Sequence, residues 1–195
     1  MIYGIQKSES EFSEKFMNGI LDLLPKQHGA FKIMSLEIIA GRASETDHIF
    51  QNLRARGLDQ LLRHRDGGTQ IATLNVLVSL GSKLKSDEIS HVFPIAMRAF
   101  LHHTSTNIRN QFYNLCIQLF KNMDNLSEES SRMVMASLLQ GLNDSDLQLR
   151  QKVSVVWQEH PLLMRSTRDR LETILEYVPH NNLYSGFIFL YDFTS

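Results

Sequence analysis

Cysteine, glycine and proline are scarce in this chain of 195 residues, and neither sign of charge dominates. A single cysteine, Cys116, excludes an internal disulfide framework and a thiolate metal cage. It also favours a reducing compartment, cytosol or nucleus, which makes the sequons at Asn125 and Asn143 chance matches. Ten glycines and four prolines are too few turn residues for a β-sandwich or barrel. Twenty basic and 21 acidic residues leave a net charge of −1, so no global field draws the chain onto nucleic acid or anionic lipid. No apolar run approaches the ~20 residues of a membrane span. The opening MIYGIQKSESEF has neither the apolar region of a signal peptide nor the Arg-rich character of a transit peptide. What remains, 43% apolar and 21% charged, is the composition of a folded chain with a sizeable core.

The hydrophobic period is close to 3.6 nearly throughout, which predicts helices. Ile89, Val92, Phe93, Ala96, Met97, Phe100 and Leu101 form one stripe at i, i+3, i+4 spacing. Ser86 is its expected N-cap, Asp87 and Glu88 suit the first turn, and Pro94 inside it should kink the helix without ending it. Phe16, Met17, Ile20, Leu21 and Leu24 form another, opened by the capping box Ser8…Glu11 and closed by Pro25. Further helices are predicted over 29–41, 46–64 (broken near Gly57), 67–80, 105–122, 127–141, 144–158 and 166–177. Asp66, Ser127, Asp144 and Ser166 are the expected caps, and the apolar tail LYSGFIFLYDF reads as a further helix cut short.

Three apolar positions recur together. Leu36, Ile39 and Ala40 return as Leu74, Leu77 and Val78, then as Phe112, Leu115 and Cys116, then as Val153, Val156 and Trp157, at offsets of 38, 38 and 41 residues. Each recurrence follows a short polar turn. Two helices per ~40 residues, each with an apolar face that a lone pair cannot bury, is the period of a stacked helical repeat. The expected fold is all-α, a HEAT- or armadillo-like α-solenoid of about five antiparallel pairs. Their approximate bounds are 9–41, 46–80, 86–122, 127–158 and 166–195, in one helical-repeat segment over 1–195. Met1 opens close to the first helix and Ser195 stops inside an apolar run, so the chain is expected to be a piece of a longer one.

Features that hint at chemistry have plainer readings. His64-Arg65-Asp66 copies three letters of a kinase catalytic loop, but Gly67 stands where Leu is needed and Ile71 where the metal-holding Asn belongs. It is expected to be a turn, with Asp66 capping the next helix. His102 and His103 are adjacent and diverge by about 100° on a helix, which prevents an easy grip on one ion. Asp144-x-Asp146 lacks the glycine and distal Glu of a calcium loop, and helix capping explains it better. Cys116 and Trp157 fall in the repeat columns and are expected in the core. Thr69-Gln70 is an isolated pair without weight. Arg54, Arg56, Arg63 and Arg65, with His64, make a modest basic cluster, and Arg165, Arg168 and Arg170 make a second. Such clusters suit phosphates or an acidic partner, though little aromatic interleaving accompanies them and a solvated helix face also accounts for them. No catalytic, metal-binding or cofactor-binding constellation emerges.

The turns carry a resemblance. Leu23-Leu24-Pro25-Lys26-Gln27-His28-Gly29, Arg63-His64-Arg65-Asp66, Gln140-Gly141-Leu142 and Trp157-Gln158-Glu159-His160 come in the order and spacing of one family, followed by Thr167-Arg168-Asp169-Arg170-Leu171 and Asn182-Leu183-Tyr184-Ser185. From about Phe12 to Ser195 the chain resembles the catalytic subunits of the DNA-dependent protein kinase family, PI3K-related kinases, in the helical-repeat segment before their central phosphorylation cluster. Leu163-Met164-Arg165-Ser166 and Gly186-Phe187 depart from that pattern, as a diverged homologue would. The resemblance implies a noncatalytic scaffold segment of a Ser/Thr kinase whose kinase domain has no counterpart here. It implies a role in DNA double-strand break repair by non-homologous end joining, in the nucleus. The implied partners are neighbouring repeats of the parent chain, the Ku heterodimer and double-stranded DNA ends, with no membrane and no small-molecule substrate. Arg54, Arg56, Arg63 and Arg65 are the candidate contacts. The alternative is a free-standing α-solenoid adaptor that binds a peptide or partner helix.

Overall fold

The computed structural model describes residues 14–158 together with Arg168, and the regular structure among the described residues is helical. The expected capping box at Ser8, the cap at Ser166, the helix over 166–177 and the tail lie outside them, as do Arg165 and Arg170.

Helix α1 spans 14–23. Pro25 then tightens the chain into a 3₁₀ turn over Leu24–Lys26, since a proline cannot continue the hydrogen-bond ladder. Helix α2 is Gly29–Arg42, α3 is Ile49–Ala55, α4 is Leu58–Leu62 and α5 is Gly67–Leu80. The break between α3 and α4 falls at Gly57, whose φ of 96° is a left-handed conformation that glycine adopts without the Cβ penalty. Helix α6 is Ser86–Phe100, α7 is Thr106–Phe120, α8 is Glu128–Gly141 and α9 is Leu147–Gln158.

The chain divides into two compact units between Leu84 and Lys85. In the first, α2 and α5 pack on each other and α4 packs on α5. In the second, α6 packs on α7 and α8, and α9 packs on α7 and α8. Helices one repeat apart therefore touch, α2 with α5, α6 with α8 and α7 with α9, which is how a stacked repeat buries faces that a lone pair leaves open.

The repeat columns form the core. Leu36, Ile39, Leu74, Leu77, Phe112, Leu115, Cys116, Val153 and Trp157 are all buried, each large apolar side chain contributing about 1.5–3 kcal/mol of transfer free energy. Phe93 and Phe112 stack with centroids 5.9 Å apart, and Phe120 meets Trp157 edge-on at 5.8 Å. A Cβ on Gly141 would lie 2.9 Å from both the Tyr113 ring and Val153, so the backbone of α8 approaches α7 and α9 more closely than any larger residue permits.

Helix α6 runs through Pro94, as expected. Its first residue, however, is Ser86, and the cap is Lys85, whose N–H donates to Glu88 Oε2 at 2.9 Å. Serine was the better capping residue by type, but the Glu88 carboxylate satisfies the backbone one residue earlier. Ser127 and Asp66 cap as expected: Ser127 Oγ accepts Ser130 N–H at 3.2 Å and Asp66 Oδ2 accepts Thr69 N–H at 2.8 Å. The last described helix starts at Leu147, not 144, and Asp146 is its cap, accepting Gln148 N–H at 2.9 Å and Leu149 N–H at 3.1 Å. Asp144 has a different task, described below.

Candidate functional site

The basic cluster is built by the two short helices of the first unit. Arg54 lies in the last turn of α3 and is exposed. Arg63 follows α4 as its C-cap and Arg65 lies in the next turn, both exposed. Arg56 is partly buried and engaged: its Nη2 and Nε donate to Asp22 Oδ1 at 2.5 and 3.2 Å, and Nη1 donates to Asn52 at 3.1 Å (backbone O) and 3.2 Å (Oδ1). The Arg56 charge is thus matched by Asp22, and the guanidinium ties α3 to α1. The surface offered to an anion is carried by Arg54, Arg63 and Arg65.

The His64-Arg65-Asp66 turn is structural. His64 Nδ1 accepts Asp66 N–H at 3.1 Å. The Asp66 carboxylate takes both the hydroxyl of Thr69, at 2.7 Å, and its N–H. Those bonds, the hydroxyl first, hold its pKa below the usual carboxylate range. An acid so occupied is a helix cap, not a base for an incoming hydroxyl. Thr69 itself is fully buried, so the Thr-Gln pair is closed to a modifying enzyme.

The most organised polar site is one that sequence reasoning missed. Arg109, on α7, places Nε and Nη2 on the two carboxylate oxygens of Asp144, each at 2.8 Å, and Nη1 on His103 O at 2.8 Å. Arg109 and Asp144 side chains are 10% and 4% exposed, so this bidentate pair is largely desolvated. Arg150 Nη1 donates to Asp144 O at 2.5 Å, and Asp146 N–H donates to Asp144 Oδ1 at 2.9 Å. Burial would raise the Asp144 pKa, but the Arg109 hydrogen bonds outweigh it and hold the carboxyl below its ordinary value. Tyr113, whose hydroxyl lies 3.4 Å from Asp144 Oδ2, is pushed well up by desolvation. Burial also lowers the pKa of the neighbouring His102. Asp144 thus pins the turn before α9 to α7. One signal for it was available: in the 38-residue register Arg109 stands where Ile33 and Ile71 stand in earlier repeats. A charge entering an apolar column demands a buried partner.

Beside it, Lys152 Nζ donates to Asn110 Oδ1 at 2.8 Å and to Asn114 Oδ1, joining α9 to one face of α7. His103 Nδ1 accepts Ser105 N–H at 3.0 Å. The Cys116 thiol is fully buried and burial pushes its pKa well up, which makes it a packing group and not a nucleophile. The polar chemistry of the described residues joins helix to helix; what faces outward is a modest basic surface.

Among solved structures the chain is similar to designed armadillo repeat proteins. It matches the designed protein YIII(Dq)4CqI with a TM-score of 0.58 over 83% of this chain and 70% of that one, at 11% identity. It matches YIII(Dq.V1)4CPAF, in complex with the peptide (KR)4, with a TM-score of 0.59 over 91% and 81%, at 12% identity. The fold is therefore an α-solenoid of the armadillo kind. Residues 1–190 match the family model described as DNA-PKcs, CC5. Among curated relatives, DNA-dependent protein kinase catalytic subunits are 29% identical over 189 residues in Gallus gallus (93% of this chain) and 32% identical over 178 residues in Xenopus laevis (88%). The one from Dictyostelium discoideum is 22% identical over 176 residues. The chain belongs to the DNA-PKcs CC5 family. It spans 4% of the length of those relatives. The likeness falls in a helical-repeat region, with no kinase domain matched, which bears out the resemblance carried by the turns.

Proposed function

We propose that this chain is a noncatalytic scaffold segment of a DNA-dependent protein kinase catalytic subunit, acting in the nucleus in double-strand break repair by non-homologous end joining. The observation that carries the reading is the match of residues 1–190 to the CC5 region on an all-helical repeat fold. Within it, repeats run as pairs over about 9–41, 46–80, 86–122, 127–158 and 166–195, each stacked on its neighbours. The Ku heterodimer and double-stranded DNA ends are the partners of the whole assembly. Arg54, Arg63 and Arg65 supply the contact surface, with Arg56 contributing less because Asp22 already balances it.

Two measurements test this. The first is the mass of the native polypeptide, detected with an antibody against the turn at Arg63–Thr69. Relatives of which this chain spans 4% require a product of several hundred kilodaltons, whereas a product near 22.4 kDa would sink the reading and leave a free-standing adaptor. The second is DNA-end binding by the full polypeptide carrying Arg54→Ala, Arg63→Ala and Arg65→Ala together. Lost phosphate contacts lower the slope of log affinity against log salt by about 0.9 each. An unchanged slope removes these arginines from the DNA-contact surface.

A further inference from the structure

Helix α2 carries an apolar stripe that faces solvent. Phe31, Met34 and Ile38, spaced i, i+3, i+7, are 74, 55 and 39% exposed. Their neighbours around the helix, Lys32, Ser35, Leu36 and Ile39, are buried, so α2 is apolar on two faces and covered on one. A helix that is apolar beyond its covered face has a second packing partner.

The repeat register says which kind. At the 38-residue offset, Phe31, Met34 and Ile38 correspond to Thr69, Ala72 and Val76 of α5, which are 0, 2 and 0% exposed. The two helices occupy the same place in consecutive pairs and differ in one respect. Helix α5 has an equivalent helix before it in the stack, α2, on which it packs; among the described residues α2 has none. The face closed on α5 and open on α2 is therefore the face given to a preceding helix. A close approach agrees: a Cβ on Gly68, at the start of α5, would lie 2.7 Å from Ile33 Cδ1 of α2. Replacement of small residues (Thr69, Ala72) by large ones (Phe31, Met34) calls for a smaller or more distant side chain on the helix that meets them.

We infer that the Phe31–Met34–Ile38 face of α2 seats the second helix of one further repeat, supplied by the same polypeptide upstream of this segment and packed as α2 packs on α5. The inference rests on the family reading above, in which this chain spans 4% of its relatives' length and has repeat-bearing chain around it. The occupant's chemistry follows from the α2 side of the existing interface: an amphipathic helix with aliphatic residues such as Ile33 on the buried face.

The test uses the full native polypeptide. A photo-crosslinking phenylalanine analogue placed at position 31 is expected to join a peptide from within about 50 residues upstream of the segment. In the same protein, peroxide oxidation of Met34 is expected to be at least ~10-fold slower than that of free methionine, as slow as that of the buried Met17. A crosslink to a second copy, or protection that disappears on 20-fold dilution, overturns the inference in favour of self-association. Rapid oxidation of Met34 in a polypeptide of several hundred kilodaltons overturns it while leaving the family reading intact. A native product near 22.4 kDa overturns both.

Discussion

Replacing Asp144 by alanine strands a charge. Arg109 cannot shed its proton, and in the variant its guanidinium keeps His103 O at 2.8 Å and Ser145 Oγ at 3.2 Å but loses both 2.8 Å bonds to the carboxylate. With the Arg109 side chain only 10% exposed, water replaces those bonds poorly. Breaking a buried pair from one side costs about 3–5 kcal/mol. With a urea slope of about 2 kcal/mol per molar, the midpoint should fall by roughly 1.5–2.5 M. Trp157 is the sole tryptophan of the chain, 4% exposed and packed edge-on against Phe120, so its fluorescence reports unfolding of the same unit. The double variant Arg109→Met/Asp144→Leu should recover most of the loss, because two apolar groups of similar volume leave nothing unpaired. A midpoint shift below about 0.5 M for Asp144→Ala would refute the reasoning, since it would mean that the pair is solvated. So would a double variant no better than the single one.

The pH dependence of that midpoint has two expected stages. His102 titrates below its ordinary 6.5 because burial favours its neutral form; the unfolded chain binds that proton first, so stability declines modestly as pH drops below about 6.5. Asp144 and Asp66 are held below 3.8, so their contribution is complete above that value and is lost as pH falls through the folded values; Asp144→Asn should flatten this acid limb. Gly57→Ala places a Cβ at φ 96° and should cost about 1–2 kcal/mol, read as a lower melting temperature. Gly141→Ala drives a methyl to 2.9 Å from Tyr113 and Val153 and should cost about 1–3 kcal/mol by the same measurement. Cys116 should react with a thiol reagent orders of magnitude more slowly than free cysteine, and at the free rate in denaturant; rapid native labelling would contradict its burial.

Helix positions were legible because they depend on periodicity, which is local. The break at Gly57, the caps at Ser127 and Asp66 and the burial of Leu36, Leu74, Phe112 and Val153 all follow from residue type and spacing. The failures lie where a long-range partner decided. Asp144 and Asp146 are equivalent as sequence, and either suits a helix start. Only Arg109, 35 residues away in the chain, takes one of them into the interior and leaves the other to cap. Arg56 likewise reads as surface charge until α1 brings Asp22 to it, 34 residues away.

The split of one predicted helix into α3 and α4 has a mechanical side. Segments of seven and five residues are far below the ~12–15 at which a helix begins to sustain itself in water. Their order is therefore borrowed from α2 and α5, each 14 residues long. Opening this stretch forfeits few backbone hydrogen bonds, and it presents Arg54, Arg63 and Arg65 on exposed backbone to trypsin. Under limited digestion the first unit should be nicked there first, while the paired long helices on either side hold the cut ends together. Under load along the chain, the same stretch is where the repeat yields.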